Sequence, residues 1–241
     1  MMKQIEQQMK SRFQQEYTLT FNKNESIYKQ NEKLNAPSPA QSDGIMIKDM
    51  GGSDLTYKNV KENRYTKKTE IFGKLFLVKD TLANKKWELV NETKNIGDYT
   101  CFKATMIKKT NELDWTSMRR RGRRNEERKK KDTMSVKKVT EDIEMPKEVL
   151  VTAWYTPQIP VSNGPGEYWG LPGLILEINT GRTTILCTEV VINPSEKIAI
   201  TIPTKGKEIT REKYNETVKV KMKEMRERFR GRRGGGGRRR F

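Results

Sequence analysis

The side chains that could do chemistry in this chain are few, and their spacing argues against catalysis. There is no histidine among the 241 residues, which removes the usual general base near neutral pH and the commonest metal ligand. The two cysteines, Cys101 and Cys187, each sit in an apolar run of strand character, and no CxxC spacing offers zinc or dithiol chemistry. Two readings of the pair stay open. One is a disulfide, closing a loop of about 86 residues and contributing on the order of 4 kcal/mol in an oxidising compartment. The other is two buried thiols acting as small apolar fillers. Glu167, Glu177 and Glu189 are spaced like a loop rim or an exposed strand face, not like a paired acid and base. The string GPGEYWG (Gly164–Gly170) lacks the Lys-Ser/Thr of a phosphate loop. Met222 and Met225 recur at helical spacing, which is packing, not copper ligation. The chain therefore reads as a non-enzyme, with no cofactor and no metal.

The residues suited to recognition lie together. Pro157–Gly173 contains four prolines and four glycines, so it is a stiff, shaped loop: proline fixes φ, and glycine admits conformations closed to other residues. Aromatics flank it. Trp154, Tyr155, Pro157, Tyr168, Trp169, Gly170, Leu171, Pro172 and Gly173 form the candidate binding loop. It is either a preformed surface for a ligand or partner or a self-packed plug at one end of a sheet. A second binding feature is charge. Most of the +18 net charge resides in two blocks, Arg119–Asp132 (nine Lys/Arg against three acids) and Arg226–Phe241 (eight Arg against one Glu). Such blocks repel themselves and act as interaction arms. Arg232, Arg233, Arg238, Arg239 and Arg240 would meet an anionic surface, lipid or lipopolysaccharide, or RNA, or remain a solvated tail.

These residues need a scaffold, and hydropathy supplies one. Strand-like alternation or apolar runs cover residues 17–21, 55–57, 71–78, 87–90, 99–108, 149–156, 174–178, 183–192 and 198–202, with Asn179-Thr180-Gly181 as a hairpin turn. Ile5, Met9 and Phe13 mark an amphipathic helix near the start. Tyr214, Val218, Met222, Met225 and Phe229 mark a longer one over 209–229, with Thr210 as its N-cap. Strands follow one another through turns, so the expected class is α+β: a curved antiparallel sheet of about eight strands, a helix near each terminus and disordered basic insertions. One domain spans 1–229, with flexible loops at 31–54 and 109–147, and an Arg/Gly tail occupies 230–241. No run of about 20 apolar residues is present, so no transmembrane helix is expected.

Several separate strings carry a resemblance. Gly170-Leu171-Pro172-Gly173-Leu174-Ile175 reads GLPGLI, preceded by TAWYTP (Thr152–Pro157), Ile159-Pro160 and SNGPGEY; FNKNESIYK (Phe21–Lys29), with Lys33 following, and Lys86–Ala104 stand upstream. In this order they resemble the GLPGLI family of the Bacteroidetes. The resemblance implies an exported protein of the periplasm or outer membrane, often encoded near TonB-dependent outer-membrane transporters, with no catalytic mechanism attached. An envelope accessory or binding protein follows as the expected function, with a nucleic-acid binder using the Arg-rich tail as the alternative. The residues at Met1–Phe13 contain no apolar leader. A trimmed or mispredicted start keeps the envelope location; a true start places the protein in the cytoplasm.

Overall fold

The computed structural model describes residues 14–31, 52–109 and 148–233, apart from single positions at 72, 182 and 197. Eleven strands and one helix occupy these residues. The class is α+β, as expected, but the strands divide between two open, curved sheets. Sheet I is built from β1 (Tyr17–Phe21), β2 (Glu25–Gln30), β3 (Gly52–Asn59), β4 (Arg64–Ile71), β5 (Lys74–Thr81) and β11 (Lys207–Thr210), adjacent in that order. Sheet II runs β10 (Thr183–Leu186), β9 (Leu174–Thr180), β8 (Glu148–Thr156), β7 (Tyr99–Lys109) and β6 (Glu88–Ile96). Every pairing is antiparallel except β11 on β5. Helix α1 spans Arg211–Arg233.

Local sequence explains most of these elements. Gly97, at φ 56°, makes the tight turn between β6 and β7. Gly181, at φ 60°, opens the two-residue connection from β9 to β10, where Thr180 faces Thr183. Thr210 caps α1, its Oγ1 accepting the Lys213 N–H at 3.4 Å. Tyr214 sets its ring edge-on to Phe76 with centroids 6.1 Å apart, and Met222 is buried about two turns further on.

The cores lie on the two faces of sheet II. Ala104, Met106, Val151, Ala153, Tyr155, Ile175 and Ile178 pack on one face with Tyr168 and Leu171 of the connecting loop laid over them. Cys101, Leu174, Leu176 and Ile159 pack on the other, joined by Leu19 and Phe21 from β1. Leu174, Ile175 and Leu176 are buried in succession because both faces are covered, and a bulge opposite Trp154 and Tyr155 sets Ile175 and Ile178, three residues apart, on the same face.

Several boundaries differ from the sequence expectation. The run at 183–192 is strand only to Leu186, and 198–202 forms no strand. Cys187 N–H bonds Leu176 O at 2.7 Å. Beyond that rung the N–H groups of Ile175 and Leu174 are taken by Asn163 and Ile159, so the chain finds no edge to continue on. Gly52–Asp54 belong to β3, not to the loop assigned to 31–54, and α1 runs past Gly231 to Arg233. The N-terminal helix, residues 32–51, residues 110–147 and the tail from 234 lie outside the described residues. Among the described residues no helix is long and apolar enough to cross a membrane.

Candidate functional site

The proline–glycine loop leaves β8 at Thr156 and enters β9 at Leu174. Its closing residue must be glycine: a Cβ on Gly173 would stand 2.2 Å from the Thr156 carbonyl oxygen. Within the loop Val161 N–H bonds Ile159 O at 2.8 Å, Asn163 N–H bonds Val161 O at 2.7 Å, and Tyr168 N–H bonds Pro165 O at 3.1 Å. Gly170, at φ 96°, reverses the chain while its N–H reaches Ser162 Oγ at 3.2 Å.

Side chains from outside pin this backbone. Lys58 of β3 is fully buried and its Nζ donates to Gly164 O at 2.6 Å and Tyr168 O at 2.9 Å. Its neighbour in register, Ser26 of β2, donates from Oγ to Asn163 Oδ1 at 2.9 Å. Trp87 Nε1–H donates to Trp169 O at 2.8 Å. Sheet I thus holds a loop whose ends belong to sheet II. Burial drives the Lys58 amine down to about 7, with Lys85 pushing the same way and Glu167 opposing. A neutral amine carries two N–H groups, matching its two carbonyl acceptors.

Above Lys58 the loop presents Glu167 to three cations from three elements. Lys108 Nζ lies 2.7 Å from Oε1, Lys85 Nζ 3.4 Å from Oε2, and Arg211 Nη1 3.9 Å from Oε2. Burial pushes the Glu167 carboxyl up. Lys108, Lys85 and Arg211 outweigh it and hold the group at about 2. Arg211 also lies over the Tyr65 ring at 4.8 Å and pairs with Asp80 at 3.2 Å, which ties α1 to sheet I.

The sequence-named loop residues do not all converge. Tyr155, Tyr168, Leu171 and Gly173 are buried; Pro157, Gly170 and Pro172 are exposed; Trp169 is half-buried, its Nε1 enclosed without a hydrogen-bond partner. Trp154 points to the opposite face of sheet II, where Lys94 Nζ lies 4.4 Å above its ring and 2.6 Å from Glu177. The self-packed reading of the loop describes its interior, and a narrow rim remains at the surface. Arg232 and Arg233 fall in the last turn of α1; Arg238, Arg239 and Arg240 lie outside the described residues.

The disulfide reading is corrected. Cys101 and Cys187 are both free thiols. Cys101 stands on β7 and Cys187 continues β10, with β8 and β9 between them. At about 4.8 Å per strand their Cα atoms are separated by about twice the span a disulfide tolerates. Both thiols are pushed up, chiefly by burial. Among the described residues no group of three or more cysteines and carboxylates is placed to hold a metal ion.

Lys58, Lys85, Lys108 and Arg211 were invisible to motif reading, and Ser26 and Asn163 fell inside quoted strings without any role assigned to them. No local signal marked Lys58: alternation sets Leu55 and Tyr57 on one face and Thr56 and Lys58 on the other, which reads as the polar face.

A family model described as "Protein of unknown function (Porph_ging)" matches residues 87–177, from Trp87 through the loop to Glu177 in β9. No curated protein matches the chain. Solved structures similar to this chain include the following two. "Structure of PNGF-II in C2 space group" shares 15% identity at a TM-score of 0.48, covering 84% of this chain and 29% of that one. "Structure of PNGF-II in P21 space group" shares 16% identity at 0.47, covering 85% and 30%. The chain spans less than a third of either neighbour, and the likeness is too slight to bear on fold or activity.

Proposed function

We propose that this protein is a non-catalytic binding protein of the cell envelope, of the GLPGLI kind, whose proline–glycine loop docks a component of a TonB-dependent outer-membrane transport system. One observation carries the reading: Lys58, Ser26 and Trp87, all from outside the loop, fix its backbone, while Pro157, Gly170, Pro172 and the edge of Trp169 are left at the surface. A surface ordered before contact loses little conformational freedom on binding. Aromatic and proline side chains give contact area at small entropic cost. The GLPGLI string at Gly170–Ile175 supports the reading, and the range matched by a family model of unknown function, 87–177, includes the loop. The location proposed with it is the periplasm or the inner face of the outer membrane.

The test is site-specific photocrosslinking in cells. A photoreactive residue at Pro172 is compared with one at Lys74, exposed on sheet I. Crosslinks to a β-barrel transporter or its lipoprotein partner from Pro172 but not from Lys74 support the reading. Equal crosslinking from both positions, or none from Pro172, overturns it. Loss of the crosslink on deleting 230–241, but not on Trp169→Ala, would assign binding to the basic tail and also overturn it.

A further inference from the structure

The segment between β10 and β11 is a strand without a partner. Ile198, Ile200 and Ile202 alternate with Ala199 and Thr201, the β-branched spacing of a half-buried strand. Yet Ile198 is 63% exposed and Ile202 41%. Val191 and Ile192, across the turn at Asn193 (φ 51°) and Pro194, are exposed too. Among the described residues no backbone–backbone hydrogen bond or strand pairing involves 188–205, and the Glu189 carbonyl accepts from the Cys187 thiol at 3.3 Å. The arm is strung between β10 and β11, each the outermost strand of its sheet; Val190 near its start packs on sheet II and Ile200 is half-buried, while Val191, Ile192, Ile198 and Ile202 stay exposed. Contiguous aliphatic side chains at the surface, beside unpaired strand-forming backbone, mark a pairing site.

The pattern says what pairs with it. Ile198 and Ile202 are placed symmetrically about Ile200, so an antiparallel pair of two identical segments centred on Ile200 sets Ile198 of each copy opposite Ile202 of the other. All six isoleucines then share one face, the self-complementary geometry of a two-fold interface. Pro194 and Pro203 bracket the segment, limiting the pairing to this length. Charge agrees. In a chain of net charge +18, the stretch Thr188–Lys205 holds two acids, Glu189 and Glu196, against two lysines, Lys197 and Lys205. Two copies of it do not repel, whereas two copies of either basic block would. We infer that Ile198–Ile202 is a dimerisation strand that pairs antiparallel with the same strand of a second copy, on a two-fold axis at Ile200.

Cysteine crosslinking reads this register directly. Opposed Cα atoms in an antiparallel pair are about 4.5–5.5 Å apart, within disulfide range. Ile200→Cys is therefore expected to form a disulfide-linked dimer under a mild thiol oxidant, with the link mapped by mass spectrometry to residue 200 in both chains, not to Cys101 or Cys187. Ile198→Cys alone is expected to stay uncrosslinked, and a mixture of Ile198→Cys with Ile202→Cys is expected to crosslink. Failure of Ile200→Cys to crosslink, or equal crosslinking by Ile198→Cys alone, overturns the inference. Sedimentation gives a second readout that needs no cysteine. The wild type should be dimeric and Ile200→Lys monomeric, with the same circular dichroism. A monomeric wild type at every soluble concentration, as an intrachain hairpin of the arm would give, overturns it.

Discussion

Replacing Lys58 by methionine should change the pH dependence of stability as well as its magnitude. Lys58 has no exposed surface and donates to two loop carbonyls, and its amine titrates near 7 in the folded protein against 10.5 for an ordinary lysine. Between those limits the unfolded chain binds one more proton than the folded one. The sign is then fixed: stability rises with pH across this window, by up to about 1.4 kcal/mol per pH unit and about 5 kcal/mol over the whole of it. Other groups titrate in the upper part of the range. Cys101, Cys187, Tyr28 and Tyr65 are all raised by burial, and each of these lowers stability as pH climbs past its unfolded value. They are the same in both proteins, so the difference between wild type and Lys58→Met isolates the amine. That difference should grow by about 3 kcal/mol in favour of wild type from about pH 7 to about pH 9.5. The variant also leaves Gly164 O and Tyr168 O without their donor, costing about 1–3 kcal/mol each, partly offset below pH 7 by no longer burying a charge. Urea unfolding followed by tryptophan fluorescence at a series of pH values measures this. Parallel curves for the two proteins between pH 7 and 9.5 would refute the account of a buried amine that discharges on folding.

The remaining predictions concern the same loop and its neighbours. Glu167 is held at about 2 against 4.5 unfolded, so it contributes stability above the unfolded value that is lost as pH falls toward 2; Glu167→Gln should lower stability at neutral pH and flatten the acid limb of the same urea series. Gly173→Ala forces a methyl to within 2.2 Å of the Thr156 carbonyl, and a loss of at least about 1–3 kcal/mol is expected, visible as a drop in Tm with unchanged far-ultraviolet circular dichroism. Cys101 and Cys187 are unpaired, so thiol titration in urea should count both, with Cys101 unreactive in the native protein and Cys187, half-buried, reacting first.

Where alternation and turn chemistry decide the matter, local sequence sufficed. Tyr99–Lys108 and Val149–Thr156 were legible as strands because one residue in two faces a core, Leu174–Ile178 as a short continuous apolar run, and the glycine after Asn179-Thr180 closes the hairpin from β9 to β10. Helix α1 was legible from Tyr214, Val218 and Met222 and its Thr210 cap. The rigid loop was legible from its prolines and glycines. The division into two sheets was not, because strand spacing reveals which residues face a core and not which sheet provides it. Nor was the failure of Ile198–Ile202 to pair: a strand needs an edge, and the edge that residues after Cys187 would have used is occupied by Ile159 and Asn163.

By itself, the order of residues settled the class of the fold, the stiffness of Pro157–Gly173 and the concentration of positive charge in two blocks, since these depend on dihedral preference, periodicity and counting. Only the tertiary structure decided that Lys58 and Ser26, more than a hundred residues upstream of the loop, grip its backbone, that Glu167 meets three cations, and that Cys101 and Cys187 stand too many strands apart to bond. A lysine reads as surface in any local window. It becomes a buried clamp only when the second sheet brings carbonyl oxygens to its amine.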